Sequence, residues 1–204
     1  MRRAFPQVPS PYIRRMLKRV FRSPFAWAGV VVLGIVAAFG LYWFQPWKLV
    51  TDSQVDDALP IVPVTTSAAP SVSGTTPAPA GSASQASNQV LARGAFITHE
   101  HTTTGRAEII RRSDGRHLLV LHDLDTSNGP DLRVWLTDQP VVAGKAGWRL
   151  FDDGEWLEVA RLKGNRGNQV YELPRSFDPA DFRSVSIWCK RFAVSFGAAE
   201  LRAT

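Results

Sequence analysis

At 204 residues the chain has room for one or two domains, and its net charge of +6 raises nucleic acid as a partner until that charge is located. Seven of the 24 Lys and Arg residues fall within the first 24 positions, with no acid among them, whereas residues 90–204 carry 16 Lys/Arg against 15 Asp/Glu. The part long enough to fold is therefore close to neutral, which excludes a nucleic-acid-binding domain, and the single cysteine, Cys189, excludes an internal disulfide.

In chain order, residues 1–24 read as a basic cytoplasmic tail, containing Arg2, Arg3, Arg14, Arg15, Lys18, Arg19 and Arg22. Residues 25–44 carry no charge, and as a helix they rise about 30 Å, the thickness of a bilayer's hydrocarbon core. Phe25 and Trp27 mark one end of this run, and Tyr42, Trp43 and Trp47 mark the other, as interfacial aromatic belts do. A cleaved signal peptide would have a shorter apolar core and small residues after it, whereas here Leu41-Tyr-Trp-Phe-Gln-Pro-Trp47 follows. Cations precede the run, while Lys48 and the acids Asp52, Asp56 and Asp57 follow it. The positive-inside rule then predicts a single-pass anchor in the cytoplasmic membrane with its N-terminus inside and its C-terminal domain extracytoplasmic or periplasmic.

Residues 45–89 are predicted to be a disordered linker. From Thr51 onward Ala, Ser, Thr, Pro and Gly dominate, and such a composition buries too little to offset the entropy of ordering. Residues 90–204 are enough for one compact domain. Alternating or β-branched runs fall at 94–98, 106–111, 117–123, 132–137, 156–162, 169–173, 185–189 and 193–201, with turn residues between them. About eight strands so spaced predict an all-β domain, an antiparallel sandwich or barrel.

Several stretches could carry chemistry. On a strand, Val185, Ile187 and Cys189 share one face and Ser184, Ser186 and Trp188 the other, which aligns the thiol with apolar neighbours. A buried, inert cysteine fits that alignment. A reactive one fits the adjacent Lys190 and Arg191, whose charges would favour the thiolate. His99-Glu-His101 places two imidazoles on one strand face, but the Cys pairs and helical His spacings of metal sites are absent, and no metal is assigned. Asp123–Asp131 resembles a calcium loop in its alternating oxygens, yet Val134 stands where the bidentate acid belongs. Lys163-Gly-Asn-Arg-Gly-Asn168 lacks the ending of a phosphate loop, and no nucleophile elbow occurs. The sequence points away from a classical enzyme and identifies no cofactor.

The segments taken together carry a resemblance. Gly94-x-Phe96, His101-Thr-Thr-Thr-Gly105, Gly129-Pro-Asp-Leu-Arg-Val-Trp-Leu136, Leu162–Pro174, and Val185–Phe192 followed by Phe196-Gly197 resemble the electron-transfer DM-thirteen domain family, in order, across residues 91–202. That resemblance implies an all-β domain with a redox-active cysteine, here Cys189. It places the family's histidine at His101, its Pro-Asp at Pro130-Asp131 and its tryptophans at Trp135 and Trp188. Animal members place the domain beside DOMON domains, which this sequence does not contain, so an electron partner is expected in trans.

Two functions follow as expectations. In the first, a membrane-tethered redox module uses Cys189, with Lys190 and Arg191 lowering its pKa, His101 relaying protons, Asp131 orienting a neighbour, and Trp135 and Trp188 walling the site. In the second, a non-enzymatic envelope binding or scaffold domain carries Cys189 as a core residue.

Overall fold

A computed structural model of the protein describes residues 24–62 and 87–204. The chain divides into two compact units, 1–46 and 47–204. Of the first, the basic tail at 1–23 lies outside the described residues. Helix α1 spans Pro24–Phe44, and its apolar side chains stand exposed over nearly the whole length. The stretch Trp27–Lys48 is long and apolar enough to cross a membrane.

Among the described residues, the second unit is built from ten strands: β1 (Gln54–Asp56), β2 (Gln89–Thr98), β3 (Thr104–Arg111), β4 (His117–Asp125), β5 (Leu132–Thr137), β6 (Trp156–Arg161), β7 (Arg166–Glu172), β8 (Ser184–Cys189), β9 (Val194–Glu200) and β10 (Arg202–Ala203). Nine of them run in the order β1-β7-β4-β3-β2-β9-β8-β5-β6, and β10 pairs with β2. All neighbours are antiparallel except β1 and β7.

Strand β2 turns the corner. Its first part, from Gln89 to Ala95, pairs with β3, and its last part, from Phe96 to Thr98, pairs with β9. At Gly94, near the end of the first part, a Cβ would overlap the Glu200 backbone, so only glycine allows the approach. The two halves thereby enclose one main core, in which Ile109, Leu119 and Leu121 meet Val134, Leu136, Val185, Ile187, Cys189 and Phe196. Each of the eight predicted runs is a strand, because each alternates or is β-branched and is bounded by turn residues.

Residues 45–89 depart from the predicted linker at both ends. Pro46–Val50 forms a 3-10 turn, Gln54–Asp56 forms β1, and Gln89 begins β2. The strand exists because polar side chains anchor it. Asn165 receives the Ser53 N–H at 2.7 Å and donates to Asp52 at 2.8 Å, and Asn168 donates to Asp56 at 2.8 Å. Asp57 binds the Lys163 ammonium at 2.5 Å and the Val170 N–H at 2.9 Å. A segment with little to bury is thus held by hydrogen bonds. Residues 63–86 lie outside the described residues and fall between β1 and β2 in the chain.

Candidate functional site

Strand β8 has two buried faces, and the candidate residues divide between them. Val185, Ile187 and Cys189 enter the main core, as the alternation predicts. Trp188 enters a second cluster with Trp135, Phe151 and Ala198 on the opposite face. That face is closed by the connection from β5 to β6, which supplies Phe151 and Val141. Its buried hydroxyls are satisfied: Ser184 donates to the Gln139 carbonyl at 2.8 Å and Ser186 to Ser195 at 3.0 Å.

Cys189 is fully enclosed, opposite Leu132 on β5 and Val194 on β9. Burial pushes its thiol above the usual cysteine range, because a thiolate there would lose its hydration. The backbone N–H groups of Phe192, Arg191 and Asp131 oppose that rise without reversing it, and the Asp131 charge adds to it. Lys190 turns its ammonium to Glu158 at 3.0 Å. Arg191 contributes a backbone N–H to the sulfur's surroundings.

Asp131 accepts from Arg133 at 2.9 Å, lies 3.3 Å from Arg161, and receives the Lys190 backbone N–H on its carbonyl at 3.0 Å. It borders a cavity of about 290 Å³ shared with Lys48, Asn128, Arg161, Lys163 and Asn165. His101 covers the ring of Phe196, with centroids 4.0 Å apart, and its Nε2 lies 3.7 Å from Glu100. Phe196 belongs to the same core as Cys189. The other histidines are dispersed. His99 bonds Ser195 and the Val142 carbonyl, His117 meets the edge of Phe177, and His122 bonds Glu108 at 3.0 Å.

The tryptophans form a row. Trp156 stacks on Trp135 at 4.1 Å and 4°, and Trp135 stacks on Trp188 at 5.0 Å and 22°. Beyond them Phe151 meets Trp188 edge-on at 6.3 Å, and His99 stacks on Phe151 at 5.6 Å. The row exists because of register. Trp135 is opposite Glu158 on β6 and Ser186 on β8, so Trp156 and Trp188 are its diagonal neighbours, within reach for indole rings. The pairing through these residues is regular, with Trp135 to Thr137 running against Trp156 to Glu158 and Leu132 to Thr137 against Ser184 to Cys189.

Glu158 lies beside the middle ring. It accepts from Arg133 at 2.7 Å and from Lys190 at 3.0 Å. Burial works to raise its carboxyl, but Lys190, Arg133 and the Trp135 indole N–H outweigh burial and hold it below the usual carboxylate range. The indole N–H lies near this carboxylate without completing a hydrogen bond of good geometry. A buried N–H left so costs about 1–3 kcal/mol.

Trp156, Glu158, Phe151 and His99 were not selected as site residues from sequence. Trp156 was visible as an aromatic at the start of a run. Its diagonal relation to Trp135 depends on the β5–β6 register, which no local pattern announces.

The fold is that of an all-β domain. The family model described as Electron transfer DM13 matches residues 95–201. The chain belongs to that family. The matched span includes His101, Asp131, Trp135, Trp188 and Cys189. No curated protein and no solved structure matches the chain.

Proposed function

We propose that the chain is an electron-transfer module tethered by α1 to the cytoplasmic membrane, with its N-terminus inside and its β domain on the extracytoplasmic side. The exposed apolar helix and the basic residues before it support the tether and its orientation. The observation that carries the redox role is the family match over residues 95–201. Cys189 is the assigned redox group, acting as an enclosed sulfur that exchanges electrons with a partner in trans.

Thiol–disulfide exchange requires a thiolate and access to the sulfur. Enclosure and a raised pKa oppose both requirements. Electron exchange at a distance needs no contact with the sulfur. A neutral thiol that gives up one electron also gives up its proton, however, and His101, at the edge of the shared core, is the group assigned to take it. The backbone N–H groups of Phe192, Arg191 and Asp131 only partly offset the burial and the Asp131 charge, which together oppose negative charge at the sulfur. Asp131 positions the turn that supplies one of these N–H groups, and His101 seals the edge of the shared core through Phe196. The cavity bordered by Asp131 is the recess available to a partner side chain.

Film voltammetry of the full chain is the test, with Cys189→Ala beside it. The expected result is a reversible wave in the parent chain that the variant loses. An unchanged wave in the variant would move the redox role away from the sulfur. No wave in either would leave the second reading, a non-enzymatic envelope binding domain with a core cysteine. Full burial and the raised thiol favour that alternative.

A further inference from the structure

We infer that Trp156, Trp135 and Trp188 form a one-electron relay, with Trp156 as the port at which an outer-sphere, metal-centred oxidant or reductant exchanges its electron. This inference deepens the electron-transfer reading and rests on it for physiological meaning.

Three observations carry the inference. The row is continuous, with indole centroids 4.1 and 5.0 Å apart across strands β6, β5 and β8. It is also graded in exposure: Trp156 is 43% exposed, Trp135 3% and Trp188 1%. A core that only filled space would not need to end in an indole half in water. Finally, the row ends beside the sulfur, since Trp188 and Cys189 are consecutive residues of β8 whose side chains enter opposite faces.

The chemistry is electron movement alone. Trp156 gives one electron to the oxidant and becomes an indole radical cation. Trp135 then gives one to Trp156, and Trp188 gives one to Trp135, so a single positive hole moves inward. No bond breaks and no proton leaves. A metal-centred one-electron reductant at the same port restores the neutral row. Glu158 stabilises the hole at the middle ring, because it stands opposite Trp135 on β6 and its carboxylate faces the indole N–H. Arg133 and Lys190 hold that carboxylate from the other side and partly offset it. Neutralising Glu158 would leave two cations beside a ring that must become positive.

The test is flash oxidation of the full chain in nanodiscs by photogenerated tris(bipyridine)ruthenium(III). Trp27, Trp43, Trp47 and Trp148 are replaced by Phe so that the three tryptophans of the row are the indoles that remain. Indole radical cation is followed by transient absorption and electron paramagnetic resonance. The relay predicts a long-lived radical in this background. Trp156→Phe should cut its yield several-fold, and that variant keeps an aromatic ring at an exposed position, so folding is retained and is checked by circular dichroism. Trp135→Phe should leave the initial yield but shorten the lifetime, since the hole stays at the surface, and Glu158→Gln should shorten it as well. Equal yield in Trp156→Phe, or an unchanged lifetime in Trp135→Phe, would overturn the relay. The voltammetric wave separates the two levels. If Trp156→Phe exchanges electrons with the electrode as fast as the parent chain, the relay falls and the electron-transfer reading stands. If the parent shows no wave while ruthenium still produces the relayed radical, that reading falls and the relay stands as a property of the fold.

Discussion

On one face of β8, Val185, Ile187 and Cys189 sink into a core with no route to water, while on the other Trp188 begins a row of rings that reaches solvent at Trp156. Both faces are buried, yet the Trp188 face reaches the surface through a row of stacked indoles, whereas the Cys189 core meets it at the His101–Phe196 ring contact. A cysteine embedded in aliphatic packing is protected from direct chemistry. An indole in a stacked row is buried and still electronically reachable. The comparison teaches that access for atoms and access for electrons are separate properties, and that this fold gives them to opposite faces of one strand.

The largest effect should come from removing the shared pivot of the two faces. Trp188→Ala should cost about 3–5 kcal/mol of stability in urea denaturation, as large-to-small changes at enclosed aromatic positions do. Trp156→Ala should cost only about 1 kcal/mol, the scale of one lost aromatic pair. Equal losses would erase the distinction between a closed inner end and an open outer one.

Two pH dependences sharpen it next. Cys189 has a raised pKa in the folded chain, so its contribution is complete below the ordinary thiol pKa and declines as pH rises through and above that value. Cys189→Ala should flatten the alkaline decline in denaturation midpoint. His99, on the other face, has its pKa lowered by burial, which outweighs the opposing effect of the Val142 carbonyl. Its contribution is complete above the ordinary histidine pKa and is lost as pH falls below it, and His99→Gln should flatten that acid limb. Midpoints measured across pH 5 to 10 would show both limbs. A stability that does not respond to either substitution would contradict the burial assigned to that face.

The smallest effect concerns the segment between β1 and β2. Replacing residues 63–86 with a short Gly/Ser loop should change stability by about 1 kcal/mol or less, because closure entropy varies slowly with loop length. A thermal scan would check this. A large loss would mean that the segment contributes packing.

Much of the fold was legible in the sequence because strand periodicity and turn chemistry are local. The division of Val185, Ile187 and Cys189 from Ser184, Ser186 and Trp188 follows from side-chain alternation alone, and both clusters respect it. Strand β1 was not legible: three residues in a polar stretch form a strand only through Asn165, Asn168 and Lys163, more than 100 residues away. The charge around Cys189 was hidden for a similar reason. Lys190 follows Cys189 in sequence, but its ammonium is drawn to Glu158 across β5, and adjacency along a strand says nothing of where a long side chain ends. The tryptophan row was hidden most completely, because it depends on which strands pair and in which register, and β6, β5 and β8 are separated by long connections in the chain.

The measurement that tests the account most directly is the alkylation rate of Cys189 against pH, on the full chain, native and in urea. The account predicts slow native labelling whose pH midpoint lies above the ordinary cysteine value, with fast labelling on unfolding. Fast native labelling with a midpoint below that value would show an accessible, activated thiolate and would contradict the enclosed sulfur.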